Sequence, residues 1–219
     1  AKRDPRELRN FNLSVLVSDA FMEAVARDAD WPLVFPREQL GEADRARCPE
    51  TLRRRWSGDG GERPCAVLRR LPARDLWRRI TAANYDTAEP GVLFSDRINR
   101  ENNLGYREWI SATNPCGEIP LPAYGACNLG SMNLTAYVRA PFSAEARLDL
   151  EALGADAALA TRMLDNVIDA SGFPLAAQAE QARGSRRVGL GLTGLADALI
   201  LLGLPYDGEA ARTAAAGAM

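Results

Sequence analysis

Apolar residues recur along the chain with two periods, one typical of strands and one typical of helices. Residues 11–17, FNLSVLV, are β-rich and predict a strand, and residues 91–98, GVLFSDRI, predict another. Ser18 is a suitable N-cap for a short helix after the first strand. Further helical patterns cover 73–87, about 150–171 and about 194–203. Strands that alternate with helices predict an α/β fold.

The helix predicted over 150–171 carries a stripe of apolar residues at helical spacing. Its members are Leu159, Met163, Leu164, Val167 and Ile168. Because residues three and four positions apart share one face of a helix, we expect this stripe to face the core.

Two stretches depart from the alternation of strands and helices. Residues 37–65 are charged, rich in Arg and Gly and weakly periodic, so we expect an irregular surface insertion there. Cys48 and Cys65 fall inside it, and we expect them to be structural or incidental. Pro120 and Pro122 exclude a helix and favour an extended backbone.

Composition narrows the class of protein. Of the 219 residues, 47% are hydrophobic and 26% are charged, with a net charge of −2. This balance is typical of a globular domain and argues against binding nucleic acid through bulk charge.

The sequence has no membrane-length apolar run and no secretory segment, so we expect a cytoplasmic protein with reduced thiols. Because the chain begins at Ala1 without Met and stops at Met219 within a helical pattern, we expect an internal piece of a longer protein.

The chain has no histidine, and its four cysteines form neither a CxxC pair nor a zinc-ribbon spacing, so no metal site is expected. One cysteine lies in the segment Asn114-Pro115-Cys116-Gly117-Glu118. In an extended backbone, side chains two positions apart point to the same side, so an amide, a thiol and a carboxylate would share one face. Such a face suits a substrate better than a core, although a loop with one buried free cysteine fits the same spacing.

The surroundings of Cys116 limit the chemistry of its thiol. A Cys-His dyad within the chain is excluded because there is no histidine. The neighbouring Glu118 disfavours a thiolate through like-charge repulsion. A neutral thiol beside a carboxylate suits one-electron chemistry, in which the thiol loses a hydrogen atom and the carboxylate accepts a proton from a substrate hydroxyl.

Cys127 follows Cys116 across the two prolines and a Tyr-Gly turn. A loop that runs out and back would bring both sulfurs to one cavity, where Cys127 could supply reducing equivalents. The alternative is that Cys127 is a small buried residue in a strand.

These segments resemble the ribonucleotide reductases. NPCGEIPLPAYGACNLGSMNLT is similar to the finger loop of that family's active site, and the NPCGE form followed by PLP-x-YGAC most resembles the adenosylcobalamin-dependent class II enzymes. RNFNLSVLVSDAFMEAV, YDTAEPGVLFSDRINRENNL and RRVGLGLTGLADAL resemble flanking segments of the catalytic domain in the same order. The resemblance implies that residues 1–219 are part of a ten-stranded α/β barrel, with the irregular insertion at about 37–65 and the finger loop at about 112–131.

The resemblance also implies roles for individual residues. Cys116 would become a transient thiyl radical that takes the 3′-hydrogen of the ribose, and Glu118 would accept the 3′-hydroxyl proton. Asn114 would hydrogen-bond the ribose hydroxyls. Cys127 would belong to the redox pair that reduces the substrate, with its partner cysteine outside this chain. Substrate-binding residues would be Asn114, Pro115, Cys116, Gly117 and Glu118.

The opening AKRDPRELRN resembles the loop between the allosteric effector site and the substrate base. Lys2, Arg3, Arg6 and Arg9 would contact phosphate or base there, with a solvated charged turn as the alternative. The implied partners are a ribonucleotide, dNTP or ATP effectors, a thioredoxin-like or other dithiol reductant, and a second copy in a homodimer. The implied cofactor is adenosylcobalamin. By itself the fragment is not expected to turn over.

Three alternatives stay open at this point. One is the large subunit of a class I ribonucleotide reductase, which depends on a second, radical-generating subunit. Another is a dinucleotide-binding module that uses GLGLTG at 189–194, which matches G-x-G-x-x-G and precedes a predicted helix. A tight strand-to-helix packing turn explains the same letters. A third is an inert piece with exposed barrel edges.

Overall fold

The structure of the protein is a computed structural model that describes residues 10–56 and 60–219. The chain groups into two units, one ending at Ala123 and the other running from Tyr124 to Met219. Both units mix helices with short strands, which confirms the predicted α/β class.

The first unit is built around a parallel pair of strands, β1 (Ser14–Val17) and β5 (Gly91–Phe94). Three helices flank this pair: α1 (Asp19–Ala26), α3 (Ala73–Thr87) and α4 (Ser95–Arg100). The helix predicted over 73–87 is confirmed. The second predicted strand is shorter than expected, because the chain turns into α4 at Ser95.

Helix α1 begins as the sequence predicts. The Ser18 hydroxyl accepts a hydrogen bond from the Phe21 backbone N–H at 3.2 Å, which confirms it as the N-cap. The N–H of Asp19, the first residue of α1, donates to the Asp96 carboxylate at 2.8 Å. This hydrogen bond links the start of α1 to α4. The negative charge of Asp96 also suits the positive end of the α1 dipole.

The core of the first unit forms where α1 and α3 meet β1. Val17, Phe21 and Ala73 are buried together. The Phe21 ring contacts Trp31 and Trp77 edge to face, with ring centroids 5.2 and 6.4 Å apart. Aromatic pairs in this arrangement add specific geometry to the area that they bury.

Residues 37–65 are more regular than the sequence predicts. They contain a helix, α2 (Glu42–Arg47), and contribute to an antiparallel sheet in the order β2-β4-β3, where β2 is Asp30–Pro36, β3 is Thr51–Arg55 and β4 is Glu62–Pro72. The sequence of β3 is mostly charged, so it lacks the apolar pattern that would predict a strand. Backbone pairing with β4 stabilises this strand. Arg54 lies over the Trp31 ring, 4.9 Å from the centroid, and Arg53 pairs with Glu62.

Cys65 illustrates the same correction. It lies in β4 and is fully buried, at 0% exposure, so it packs as a small apolar residue. Burial raises the pKa of the Cys65 thiol, and the negative charge of Glu38 raises it further. A thiol in these surroundings stays neutral, as the predicted structural role requires.

A short antiparallel pair, β6 (Ile110–Thr113) and β7 (Pro120–Pro122), closes the first unit. The extended backbone predicted at Pro120 and Pro122 is confirmed. In the register of this pair, Thr113 lies opposite Pro120. The segment between these two residues is therefore the tip of a hairpin.

The second unit contains a parallel pair, β8 (Asn128–Asn133) and β11 (Val188–Thr193), and a short antiparallel pair, β9 (Val138–Arg139) and β10 (Arg147–Leu148). Its helices are α5 (Leu150–Ala170), α6 (Ala176–Ser185), α7 (Leu195–Leu201) and α8 (Glu209–Ala218). The helices predicted over 150–171 and 194–203 are confirmed within a residue or two, whereas α6 was not predicted. Its apolar residues are mostly alanines, which leave little amphipathic pattern to detect.

The apolar stripe predicted on α5 is only partly buried. Leu164 and Ile168 lie in the interior, whereas Leu159, Met163 and Val167 are exposed. A stripe of this width covers more than one side of the helix. Within the described residues of this unit, α5 packs on β8 and β11 and also contacts α6, α8 and the 134–137 turn, and these partners leave Leu159, Met163 and Val167 exposed.

One arginine joins α5, α6 and β11. Arg186 follows α6 in a left-handed backbone conformation, with φ of 47°. Its guanidinium donates to Asp165 at 2.8 Å and to both carboxylate oxygens of Asp169 at 2.9 and 3.0 Å. Hydrogen bonds from Arg186 lower the pKa of both aspartates. This bidentate pair fixes the chain that leads into β11.

No helix among the described residues is both long enough and apolar enough to span a lipid bilayer.

We predict that Leu134→Ala destabilises the second unit. Leu134 lies in a 3-10 turn (Leu134–Tyr137), is 0% exposed and belongs to a core cluster with Leu153 and Ala198. Removing it leaves a cavity, so the free energy of unfolding of the 219-residue chain should fall by about 2–5 kcal/mol in urea denaturation. Leu159→Ala is the matched control, since Leu159 is 69% exposed. Equal losses for the two variants would contradict this core.

We also predict that the stabilising effect of Arg186 depends on pH. Because the pKa values of Asp165 and Asp169 are lowered in the folded state, their ionised forms stabilise the fold above the ordinary carboxyl range. That contribution disappears as the pH falls through the lowered values. Arg186→Met should therefore reduce the melting temperature at neutral pH, and the difference from wild type should shrink below about pH 4.

The control for this experiment is Arg27→Met. Arg27 pairs with Glu23 on the exposed surface of the first unit, where both side chains are mostly solvated. Exposed pairs of this kind contribute little to stability. A pH-independent loss in Arg186→Met would show that Arg186 acts through packing and not through its ion pairs.

Candidate functional site

The segment Asn114–Glu118 forms the tip of the β6–β7 hairpin. The Gly117 N–H donates to the Asn114 carbonyl at 3.1 Å, which closes a four-residue turn. The prediction of an extended backbone over these residues is therefore wrong. Pro115 favours the second position of such a turn, and Gly117 adopts a φ of 90° that a side chain would disfavour.

The turn nevertheless brings the predicted amide and carboxylate together. The Asn114 side-chain Nδ2 donates to Glu118 Oε1 at 2.5 Å. Its Oδ1 accepts the Ile119 backbone N–H at 2.9 Å, and its backbone N–H donates to the Ile119 carbonyl at 3.2 Å. Asn114 thus holds the closing side of the turn and fixes one carboxylate oxygen of Glu118, leaving the other oxygen available.

Cys116 lies at the exposed end of the turn. An atom placed where the Cβ of a residue at Gly117 would be meets nothing within 4 Å, so the space beside the thiol is open. Cys116 and Glu118 are both exposed, so a ligand can reach the thiol and the carboxylate. Hydrogen-atom and proton transfer at neighbouring positions of one substrate require that both groups be accessible.

Two asparagines that the sequence analysis did not single out anchor the hairpin. Asn12 Nδ2 donates to the Pro115 carbonyl at 2.6 Å, from the segment that precedes β1. The Asn99 amide pairs with the backbone of Ile110, with Nδ2 donating to its carbonyl at 2.9 Å and Oδ1 accepting its N–H at 2.8 Å. The available signal was weak: Asn12 is an amide within an otherwise largely apolar stretch, and Asn99 is one of several polar residues in a charged helix.

A cleft of about 440 Å³ lies beside the turn, with Asn114 and Pro115 in its wall. Its other polar lining comes from amides and hydroxyls, including Asn12, Ser14 and Thr113, and none of the described lining residues is charged. A cleft of this size accommodates a small molecule. Amides and hydroxyls are suitable partners for the hydroxyl groups of a sugar.

A second cleft in the first unit, of about 520 Å³, is lined by Trp31, Trp56 and Trp109. Arg54 and Arg55, on its wall, stack on Trp31 and Trp109. It contains none of the residues predicted for the site. Its arginines are engaged with the indole rings, so we interpret it as part of the packing of the β2-β4-β3 sheet.

Cys127 immediately precedes β8 in the second unit and is half-buried. Its thiol donates to the Asn128 carbonyl at 3.6 Å. Burial raises the pKa of the Cys127 thiol, and the positive charge of Arg187 opposes that shift in part. Because Cys116 and Cys127 belong to different units, a shared cavity for their sulfurs stays a prediction.

The GLGLTG segment does not form a phosphate-binding loop. Gly189 and Gly191 lie inside β11, paired with β8 residue by residue, whereas the dinucleotide fingerprint places its glycines in the turn before the helix. Gly194 alone occupies the turn, with φ of 69° and no room for a side chain against Asn133 Oδ1, 2.4 Å from the Cβ position. The geometry favours the packing turn over the dinucleotide site.

The predicted specificity residues, Lys2, Arg3, Arg6 and Arg9, lie outside the described residues. Within the described parts of the chain, no group of three or more His, Cys, Asp or Glu side chains is arranged to hold a metal ion.

Comparison with known proteins identifies relatives of the chain. The family described as "Ribonucleotide reductase, barrel domain" matches residues 1–219. A vitamin B12-dependent ribonucleoside-diphosphate reductase of Mycobacterium tuberculosis is 42% identical over 94% of this chain and 25% of its own length. A protein of the same name in Thermoplasma acidophilum is 37% identical over 91% of this chain and 22% of its own length.

Relatives named without vitamin B12 are less similar. The ribonucleoside-diphosphate reductase large subunit of Arabidopsis thaliana is 30% identical over 96% of this chain and 28% of its own length. The chain spans about a quarter of the length of the curated relatives that it matches.

We predict that the Asn114 side chain holds the turn closed. Asn114→Ala removes the acceptor of the Ile119 N–H, so hydrogen exchange at that amide, measured by mass spectrometry on a peptide covering 114–122, should accelerate by about tenfold. Asn114→Asp is the matched control, because it keeps an acceptor oxygen at the same place. Unchanged exchange in Asn114→Ala would mean that the backbone bonds suffice without the side chain.

Proposed function

The chain belongs to the ribonucleotide reductase barrel-domain family, and from that membership we propose that its full-length protein reduces ribonucleoside diphosphates to 2′-deoxyribonucleotides in an adenosylcobalamin-dependent reaction. The product would serve DNA synthesis. This chain would contribute part of the ten-stranded barrel of the family and most of its reactive residues.

One observation carries the choice within the family. The relatives named as vitamin B12-dependent are 37–42% identical to the chain, whereas those named as large subunit or subunit alpha are 29–31% identical. This ranking supports the B12-dependent reaction over the class I alternative. The printed names of the former also support a diphosphate substrate.

The hairpin tip fits the first half of the reaction. Cys116 is exposed, so its thiyl form could take the 3′-hydrogen of a bound ribose. Glu118, one of whose oxygens is held by Asn114, would accept the 3′-hydroxyl proton. Loss of that proton eases departure of the 2′-hydroxyl as water. Asn114 would keep the carboxylate oriented and contact the ribose hydroxyls.

The second half needs two electrons and two protons, which a pair of thiols supplies. Cys127 and a second cysteine outside this chain would form a disulfide as they reduce the substrate. Cys116 would then return its hydrogen atom to C3′. The overall balance is one ribonucleotide and one dithiol to one deoxyribonucleotide, one disulfide and one water. A thioredoxin-like or other dithiol would reduce the disulfide again.

The residues present fit an external radical generator. Adenosylcobalamin, when bound, supplies the unpaired electron that this chain's side chains cannot generate alone. Cys116, the group to be oxidised, is exposed at the end of a turn with open space beside it. The protein's own task there is to present the sulfur, hold Glu118 and exclude side reactions of the radical.

Further parts of the proposal extend beyond the described residues. Lys2, Arg3, Arg6 and Arg9 would belong to a loop that links dNTP or ATP effectors to substrate choice. The full-length protein would act in the cytoplasm, as a homodimer.

The test is an assay of ribonucleotide reduction by the full-length protein, with adenosylcobalamin and a dithiol and without a second subunit. Cys116→Ser should abolish product, with a loss of at least about 10³-fold, and Glu118→Gln should lower the rate strongly. Cys48→Ser is the matched control, since Cys48 lies in the insertion and should be dispensable.

Two outcomes would contradict the proposal. Product that requires a metal-bearing partner protein would move the protein to class I. Activity that survives Cys116→Ser would remove the thiyl role, and the turn would then be a structural hairpin.

A further inference from the structure

The hydrogen bonds that close the turn do not hold its central peptide group, which joins Pro115 to Cys116. The Gly117 N–H donates to the Asn114 carbonyl at 3.1 Å, across the ends of the turn. The Asn114 side chain bonds Glu118 and the backbone beyond it. Neither set of bonds fixes the plane of the central peptide group.

The central peptide group of a four-residue turn has two common orientations. Type I and type II turns differ by about half a rotation of this group, and a proline at the second position suits both. The ring of Pro115 fixes its φ, so its ψ is the dihedral angle that sets the orientation. The type II arrangement needs a positive φ at Cys116, which the described backbone does not show. Rotation of the group would move the Cys116 nitrogen and change the direction of its Cα–Cβ bond.

Asn12 holds this peptide group from outside the turn. Its Nδ2 donates to the Pro115 carbonyl at 2.6 Å. Because a peptide group is planar, fixing the carbonyl oxygen also fixes the nitrogen and the Cα of Cys116. A single side-chain dihedral angle, χ1, then determines where the sulfur lies. Among the described residues, no other hydrogen bond reaches this peptide group.

Asn12 is itself attached to the parallel strand pair of the first unit. The carbonyl of the next residue, Leu13, accepts a hydrogen bond from the Gly91 N–H at 2.8 Å, and β1 pairs with β5 from Ser14 onward. A group held from a strand is placed more precisely than a group held only within its own loop. The amide of Asn12 therefore ties the backbone of Cys116 to the sheet.

We propose that Asn12 is a positioning residue for the hydrogen-atom transfer, an inference that rests on the proposed function. In that step the C3′–H bond of the ribose breaks as the S–H bond of Cys116 forms, and the unpaired electron moves from sulfur to carbon. The rate of such a step depends steeply on the distance and alignment of the reacting atoms. Asn12 acts through the backbone of Cys116, without contact to those atoms.

The experiment replaces Asn12 with Leu in the full-length protein, which keeps the approximate size of the side chain and removes its donor. Reduction of a ribonucleoside diphosphate is measured with adenosylcobalamin and a dithiol, using substrate that carries hydrogen or deuterium at C3′. The value of kcat should fall about 3- to 10-fold, with KM unchanged. The isotope effect on kcat should rise, because hydrogen transfer then limits turnover more strongly.

Two further measurements test how Asn12 acts. The Kd of the ribonucleoside diphosphate for the cofactor-free protein should be the same in Asn12→Leu and in wild type, since the residue positions the thiol and does not bind the substrate. Asn12→Gln keeps the amide donor on a longer side chain, so it should recover part of the lost kcat. Asn12→Asp has the size of the original side chain without its donor, so it should behave like Asn12→Leu.

Asn84→Leu is the matched control. Asn84 is also exposed, and its Nδ2 also donates to a proline carbonyl, that of Pro90, at 3.1 Å. It lies in α3, within the same unit. Loss of this bond should lower the melting temperature about as much as loss of the Asn12 bond, while kcat and its isotope effect stay at the wild-type values.

The outcomes separate this inference from the proposed function. Activity that survives Cys116→Ser would contradict the proposed function itself. Loss of activity in Cys116→Ser together with wild-type kcat in Asn12→Leu would overturn the role of Asn12 alone. A raised KM with unchanged kcat would also overturn it, because Asn12 would then be a contact of the substrate.

Two results would reduce Asn12 to a structural residue and so overturn the inference. One is a lowered kcat in Asn12→Leu without a larger isotope effect, which would mean that fewer molecules are folded and that the folded ones react normally. The other is an equal fall of kcat in Asn84→Leu, where the lost bond is of the same kind but does not reach the turn.

Discussion

The position of the Asn114–Glu118 turn depends on asparagine side chains that substitute for backbone hydrogen-bonding partners. Backbone groups removed from water need partners, and a hairpin with only three-residue pairing offers few of them. A side-chain amide carries both a donor and an acceptor, so it can form with a backbone peptide group the hydrogen bonds that a neighbouring strand would otherwise form. The pairs are Asn99 with Ile110, Asn114 with Ile119, and Asn12 with Pro115.

This substitution fixes the turn while its thiol and its carboxylate stay exposed. A neighbouring strand would satisfy the same peptide groups but would also bury the Cys116 thiol and the Glu118 carboxylate. An ionised carboxylate is costly to bury without a partner. The amides act from the base and side of the hairpin, so Cys116 remains exposed and Glu118 keeps one oxygen free of Asn114. The turn is therefore held in place while its thiol and its carboxylate stay accessible to a ligand.

The sequence predicts local structure well where a local interaction determines it. The Ser18 cap, the limits of α3 and the extended prolines at 120 and 122 follow from hydrogen bonding and steric rules within a few residues. Prediction from the sequence fails where pairing with a distant segment determines the local structure. β3 is a strand because β4 pairs with it, despite its arginines. The Asn114–Glu118 contact was predicted by the wrong route, since a turn and not an extended backbone brings the two side chains together.

The GLGLTG segment shows how strand register decides the meaning of a motif. In the sequence the same letters fit a phosphate loop or a packing turn, and the pairing of β11 with β8 favours the packing turn. Pairing of Gly189 with Leu129 and of Gly191 with Ser131 assigns both glycines to the face that Cys127 borders. Gly194, five residues after Gly189, serves the turn instead. Glycines in one motif therefore have two different causes: a backbone conformation at Gly194 and open space at Gly191, where a side chain would be sterically allowed by every described neighbour.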